Sequence, residues 1–178
     1  MLFYTSDMHF CDEKIRHVCS RPFENTDIMN QTIIQKWNSK VRVTDTVYIL
    51  GDIFPCDGGD FGTISNIVKR LNGDKILIIG NHDELHLTSI EKCGAFKTLE
   101  HIALIQDAGK EIMLCHYPMM DWQNEHLGSF HLYGHIHNKD LPQIANYYKD
   151  KSAFNVGQDV WSFEPVTLAE ILGGTQCI

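Results

Sequence analysis

Seven residues of metal-binding type stand in five short clusters along this 178-residue chain. They are Asp7, His9, Asp52, Asn81, His116, His135 and His137. Carboxylate, imidazole and amide groups together form a mixed oxygen and nitrogen set, which suits borderline divalent metals. Brought to one place, so many side chains would hold two ions better than one. The residue types therefore predict a metal-dependent hydrolase.

Each cluster directly follows an apolar, β-prone run, so strands are the elements that must position it. The runs occupy residues 2–6, 46–50, 75–79, 111–115 and 130–133. Helical patterns at 13–19, at 26–41 (capped by Thr26) and at 61–71 separate the first three runs, with a loop at Pro55, Gly58 and Gly59. Helical crossovers between strands predict a parallel sheet. In such sheets, sites gather at the carboxyl ends of the strands, where Asp7, Asp52 and Asn81 stand.

The second half of the chain has a different pattern. A hairpin signal at 107–110 joins strands at 103–106 and 111–115, and short strands are expected near 130–133, 153–156 and 164–166. Thr167 and Glu170 predict a capping box for a final helix. We expect one domain over residues 1–178, with two sheets packed face to face and helices outside.

In their order, the motifs resemble those of the calcineurin-like metallophosphoesterase superfamily, in particular a small bacterial or phage-type member. The motifs are D-x-H at 7–9, G-D at 51–52, G-N-H-D at 80–83, a lone His116 after a strand, and G-H-x-H at 134–137. The resemblance implies an α/β fold, a four-layer α/β/β/α sandwich of two mixed sheets. It also implies a centre of two divalent metal ions, with Mn, Fe, Zn and Ni all open.

The resemblance assigns roles to residues of this chain. One ion would bind Asp7, His9 and His137, the other Asn81, His116 and His135, and Asp52 would bridge both. A hydroxide bridging the ions would attack a small phosphodiester or phosphomonoester, with His82 as general acid. Because Gly51-Asp52 continues as Ile53-Phe54-Pro55, without the further Asp and Arg-Gly of protein phosphatases, that branch is disfavoured.

Further polar residues have weaker expectations. Arg21, in a loop after the first motif, is expected to contact substrate phosphate together with Asn81 and His82; a surface salt bridge is the alternative for Arg21. Asp83 is expected to orient an adjacent histidine or to cap the next segment. Histidines outside the motifs are interpreted as surface or core residues: His17, His86, His101, His126 and His131. His126 could instead line the substrate pocket and His131 support a ligand, while Asp159 has no assignment.

Composition limits the partners. With 15 basic and 23 acidic residues the formal charge is −8, which argues against nucleic acid as an extended ligand. No apolar run approaches the ~20 residues of a membrane helix, and the start lacks a secretion signal. The six cysteines form no recognised framework, so reduced thiols and a cytoplasmic location are expected.

Two alternative functions remain: a nuclease acting on DNA or RNA ends, and a non-catalytic, protein-binding scaffold. The substrate and the oligomeric state stay open.

Overall fold

Two four-stranded sheets with helices around them make up an α/β sandwich. The computed structural model describes residues 1–55 and 61–174, and the side chains of Phe61 and Ile64 lie outside that description. The same holds for the predicted loop glycines Gly58 and Gly59 and for the thiols of Cys56 and Cys177.

The first sheet has the strand order β1-β2-β3-β4. Its strands are β1 Leu2–Thr5, β2 Thr46–Ile49, β3 Asp74–Ile78 and β4 Phe96–Glu100, and its helices are α1 Glu13–Val18, α2 Thr26–Lys40, α3 Phe61–Arg70 and α4 Leu87–Cys93, with a 3₁₀ turn at Glu84–His86. Every strand pair is parallel, which confirms the predicted β-α-β-α-β unit. The expectation that this sheet is mixed is wrong, because each connection between its strands contains a helix that returns the chain to the same edge.

The second sheet is mixed, as predicted. Its strands, in spatial order, are β5 Ile102–Asp107, β6 Lys110–Cys115, β7 Phe130–Tyr133 and β8 Ala153–Asn155. The hairpin β5–β6 is antiparallel and the other pairs are parallel. Ala108 and Gly109 both have positive φ, at 49° and 76°, which matches the twist of a tight hairpin. A 3₁₀ turn at Glu125–Leu127 precedes β7, and helix α5 Pro142–Tyr148 precedes β8.

The chain end returns to the first sheet. The predicted strand at 164–166 is only an isolated antiparallel bridge between Val166 and Tyr4. A 3₁₀ turn at Gln158–Val160 and helix α6 Leu168–Leu172 flank it. The predicted capping box of Thr167 and Glu170 is confirmed. The predicted cap of α2 is wrong by one residue, since the Asn25 side chain accepts the hydrogen bond from the Ile28 amide at 2.9 Å, and Asn caps helices better than Thr.

Two apolar layers hold the fold together. In the first, Ile33 and Trp37 of α2 pack with Val47 and Leu77 on one face of the parallel sheet. The second layer joins the two sheets, and its buried members include Tyr4, Leu50, Ile78, Leu114 and Leu132. Because both sheets share this layer, the ends of their strands stay fixed relative to one another. Within residues 1–55 and 61–174, no helix combines the length and apolar character needed to cross a bilayer.

His131 belongs to the core of the second sheet rather than to a metal centre. Its ring is buried beside Trp122 and Tyr133, with ring centres 5.3 and 5.4 Å away. Nδ1 lies 3.2 Å from the Met113 carbonyl and Nε2 accepts a hydrogen bond from the Met119 amide at 3.1 Å. Nε2 also lies 3.2 Å from the Tyr117 carbonyl, but acceptance from the Met119 amide and the burial of the ring favour the neutral form.

This burial predicts a pH-dependent stability. Burial lowers the pKa of His131 to about 4, below the usual value of about 6.5. The unfolded chain therefore takes up the proton first. The contribution of His131 to the unfolding free energy is fully present above pH ~6.5 and is lost as pH falls toward ~4. By pH 5 the loss should be about 2 kcal/mol.

Urea unfolding in EDTA at pH 7.5 and 5.0 tests this prediction. Between pH 7.5 and 5.0, the unfolding free energy of His131→Gln should fall by about 2 kcal/mol less than that of the parent. The exposed His126 supplies the matched control, and His126→Gln should behave as the parent. Equal losses for the parent and His131→Gln would contradict the assignment.

Candidate metal centre

Loops that follow β1, β2, β3, β6 and β7 bring the seven predicted ligands to one edge of the sandwich. They form two groups. Ligand atoms of Asp7, His9 and His137 lie within 4.8 Å of one another, and so do those of Asp52, His116 and His135. The remaining predicted ligand, Asn81, joins the second group, because its Oδ1 is 3.0 Å from both His116 Nε2 and His135 Nδ1.

The first group is buried. His137 Nε2 lies 3.9 Å from Asp7 Oδ1, and the backbone amide of His135 donates to both oxygens of Asp7 at 3.0 Å. His9 is only 1% exposed, yet its Nε2 has no hydrogen-bond partner among the described residues. A buried nitrogen with an unused lone pair needs an explanation, and a bound cation supplies one.

Asp52 belongs to the second group and also faces the first. Its Oδ2 is 3.3 Å from His116 Nε2 and 3.7 Å from His9 Nε2, while its Oδ1 accepts a hydrogen bond from the His82 amide at 2.9 Å. Burial alone would raise the pKa of Asp52, but the hydrogen bond and charge of His116 outweigh it and lower the pKa to about 2. The residue is therefore a carboxylate, placed where a bridging ligand would have to be.

His137 is a predicted ligand whose protonation differs strongly from the usual. Burial favours its neutral ring, but hydrogen bonds to Asp159, at 2.8 Å, and to Cys19 outweigh burial and raise the pKa of His137 to about 10. A metal ion bound at Nε2 would have to displace the proton on that nitrogen, so binding there would weaken as the pH falls.

Five of the predicted ligands have a left-handed backbone. The φ angles are 58° for Asp7, 49° for His9, 55° for Asp52, 69° for His135 and 53° for His137. This region is uncommon for residues other than glycine, although aspartate and histidine adopt it more often than most, and six other non-glycine residues of the described chain also adopt it. Strain of this kind clusters at functional sites, where the surrounding structure holds it in place.

Three glycines of the motifs allow the loops to approach closely. Gly51 has φ +86°, and a Cβ there would lie 2.6 Å from the Cα of Gly80. A Cβ at Gly134 would collide with the side chains of Ser6 and Asp7. Only a residue without a side chain fits at these contacts, which accounts for glycine before Asp52, Asn81 and His135.

A cavity of ≈ 330 Å³ opens beside the ligands. His82 and Asn81 line it, together with Lys14 and Lys139. His82 Nε2 is 3.9 Å from Asp52 Oδ2, and its Nδ1 is buried without a hydrogen-bond partner within the part of the chain that the structure describes. Burial lowers the pKa of His82, so the ring gains a proton only below its usual range.

Arg21 does not face the cavity, and its predicted contact with substrate phosphate is wrong. Its side chain is 0% exposed. The guanidinium group donates to Asp159 at 2.7 and 2.9 Å and to the carbonyls of Asp7 and Met8 at 2.7 and 2.8 Å. The alternative of a surface salt bridge is also wrong, because the ion pair with Asp159 is buried.

Asp83 also acts differently from the prediction. Instead of orienting a histidine, its carboxyl group accepts the backbone N–H groups of Asp52, Gly80 and Ile53 at 2.8, 3.0 and 3.0 Å. Burial raises the pKa of Asp83 to about 6. The residue thus fixes the backbone around Asp52, a role that adjacent motifs do not reveal.

Two carboxylates near the ligands were not predicted. Asp12 Oδ2 lies 3.1 Å from His9 Nδ1, and Asp159 accepts from His137 Nδ1. The spacing of Asp12, three residues after His9, was a signal that could have been used. No comparable signal marks Asp159, because it contacts Arg21 across 138 residues of chain.

Comparisons with known proteins show relatives without a named activity. The chain is 30% identical over 167 residues to the uncharacterized protein MJ1445 of Methanocaldococcus jannaschii, covering 94% of this chain and 86% of that protein. It is 27% identical over 185 residues to the gene 66 protein of Mycobacterium phage L5, covering 89% and 86%. No family model matches the chain.

A solved structure has the same fold. The protein of unknown function AQ665 from Aquifex aeolicus superposes with a TM-score of 0.74 at 24% identity, covering 97% of this chain and 98% of that one. At this identity the likeness shows the fold alone, so the chemistry has to be argued from the residues of the site.

Proposed function

We propose a function from the geometry of this chain's own site. The chain belongs to the family of the uncharacterized protein MJ1445, and that name assigns no activity. The proposed function is hydrolysis of a small phosphodiester or phosphomonoester, dependent on two divalent metal ions. The fold that we propose along with this function is the four-layer α/β/β/α sandwich of the calcineurin-like metallophosphoesterases.

One observation carries the proposal: two groups of ligand atoms converge on either side of one buried carboxylate. Asp7, His9 and His137 would hold one ion, Asn81, His116 and His135 the other, and Asp52 would touch both. The unpartnered Nε2 of His9 supports the fit. So does the donor chemistry, since imidazole, carboxylate and amide suit Mn, Fe, Zn or Ni.

The protein would contribute positioning and proton transfer to the reaction. Two bound ions supply Lewis-acid charge for a phosphoryl group and acidify water. Asp52 keeps the two ligand groups together as a carboxylate. His82, on the cavity wall beside Asp52, is the residue placed to give a proton to a leaving group, and no serine or cysteine nucleophile is required.

The cavity and the surface charge favour a small substrate. A volume of ≈ 330 Å³ is at the lower end of the range for small-molecule sites. A nuclease would need a basic surface along the phosphate backbone, and the formal charge is −8. A protein-binding scaffold has no need for strained ligand backbones and an unpartnered buried imidazole.

Turnover of bis-p-nitrophenyl phosphate tests the proposal. Protein treated with EDTA and dialysed should be inactive, and added Mn²⁺ should restore turnover, because the ligand groups would be refilled. Plasmid and RNA fragments serve as competing substrates. Folded protein that hydrolyses neither mono- nor diesters with Mn²⁺, Fe²⁺, Zn²⁺ or Ni²⁺ would favour the scaffold, and faster cleavage of nucleic-acid ends would favour the nuclease.

A further inference from the structure

We propose that Asp12 and Asp159 are positioning residues that fix the tautomers of His9 and His137, and thereby set the affinity of one of the two ions. The inference rests on the proposed two-metal function and adds to it. It concerns carboxylates outside the seven ligands, and it assigns their effect to the group of Asp7, His9 and His137 alone.

Asp12 has two separate contacts. Its Oδ1 accepts the amides of Lys14 and Ile15 at 2.8 and 3.1 Å and so caps helix α1. Its Oδ2 lies 3.1 Å from Nδ1 of His9. Because a carboxylate only accepts hydrogen bonds, Nδ1 must carry the proton of the neutral ring. The lone pair of His9 is therefore on Nε2, the atom that faces Asp52 and has no partner in the described structure.

Asp159 holds the Nδ1 proton of His137, so the proton that a metal ion would displace is the one on Nε2. Its Oδ2 lies 2.8 Å from Nδ1 of His137, which leaves Nε2 directed toward Asp7. Arg21 holds Asp159 through two hydrogen bonds and also holds the carbonyls of Asp7 and Met8. The buried guanidinium group thus connects the carboxylate that orients one ligand to the backbone of another.

Among the described residues, the second group has a different arrangement. The Nδ1 of His116 donates to the Leu50 carbonyl at 2.7 Å, a neutral acceptor. His135 instead turns its Nδ1 toward Asn81. A carboxylate on the far nitrogen makes a histidine a more basic ligand and fixes its orientation, and loss of such a partner costs about 10–100-fold in metal affinity. The effect should therefore fall on one ion and not on the other.

Two substitutions at Asp12 separate positioning from helix capping. In Asp12→Asn the amide oxygen is retained as the cap, so the NH₂ group must face His9 and donate to Nδ1. The proton of the ring then moves to Nε2 and blocks coordination. In Asp12→Ser the hydroxyl group caps the helix about as well as Asn but forces no donor onto the ring. Tautomer control thus predicts that Asn is worse than Ser, although Asn is closer in shape to Asp.

The first readout is the binding isotherm of Mn²⁺, measured through the EPR signal of the free ion. The second is the visible spectrum of bound Co²⁺. We expect Asp12→Asn to weaken one of the two ions by about 10–100-fold and to change the Co²⁺ spectrum, with a smaller change for Asp12→Ser. Glu13→Gln, at the neighbouring exposed position, is the control and should leave both ions unchanged. Asp159→Asn should weaken the same ion, with thermal unfolding measured in parallel because Arg21 loses its partner.

The outcomes distinguish this inference from the proposed function. A parent protein that binds no pair of ions would overturn the two-metal function itself. A parent that binds two ions, with Asp12→Asn binding both equally well, would overturn only the positioning role. Weaker binding by Asp12→Ser than by Asp12→Asn would also overturn it, since tautomer control requires the opposite order.

Discussion

Asp52→Asn should weaken the binding of both metal ions together and lower turnover by more than about 100-fold. This is more than the usual cost of losing a residue that hydrogen-bonds to a metal ligand. The reason is the position of Oδ2, which faces His116 and His9 at once. Asn retains the shape and can still accept from the His82 amide, but it removes the negative charge between the ions. Calorimetric titration with Mn²⁺, alongside the rate on bis-p-nitrophenyl phosphate, measures both effects.

Asp74→Asn provides a control at the opposite end of the same sheet, where Asp74 begins β3 and pairs with Lys97. It should bind two ions with the affinities of the parent. If Asp52→Asn lost one ion and kept the other at full affinity, the bridging position would be refuted.

His82→Ala should keep both ions and lose about 10²–10⁴-fold in rate on substrates with alkyl leaving groups. The side chain lines the cavity and is not one of the seven predicted ligands, although a ring nitrogen lies within 4.8 Å of ligand atoms of His9 and Asp52. An alkoxide leaves poorly without a proton, whereas p-nitrophenolate needs little help, so the loss should be small on the aryl ester. Equal rates of parent and variant on the alkyl ester would exclude the general-acid role.

The same role predicts a pH dependence. Burial places the pKa of His82 below its ordinary value, so the protonated acid is lost as pH rises through that lowered pKa. The parent's ratio of alkyl-ester to aryl-ester rates should therefore fall with rising pH, while the ratio for His82→Ala stays flat. His101→Ala, at an exposed histidine, should follow the parent.

Local signals were enough to predict the elements that position the site. Polar clusters directly after apolar runs located the carboxyl ends of five strands, and parallel pairing brought them to one edge. The pair α4 and β4 was missed because residues 96–100 form an edge strand with little buried surface. Helix α5 was missed because its seven residues include none that are buried, so no apolar period marks it.

The support around the ligands could not be predicted in the same way. A loop arginine resembles a surface residue, and nothing local indicates that the carbonyls of Asp7 and Met8 need buried donors. Both carbonyls accept hydrogen bonds from the buried guanidinium group of Arg21. Asp159 reaches His137 and Arg21 only through the tertiary fold. Asp12 was accessible to sequence reasoning, since it combines a helix cap with a spacing of three from His9.

The left-handed turns have a consequence for how this sequence could have arisen. Selection for folding alone would favour glycine at those five positions, since a side chain there costs roughly 1–2 kcal/mol. The chain instead has aspartate and histidine at all five, which tolerate this region better than most side chains but less well than glycine. Such a compromise between stability and activity is common where side chains are retained for use, and five of the eleven non-glycine residues with positive φ in the described chain are predicted ligands.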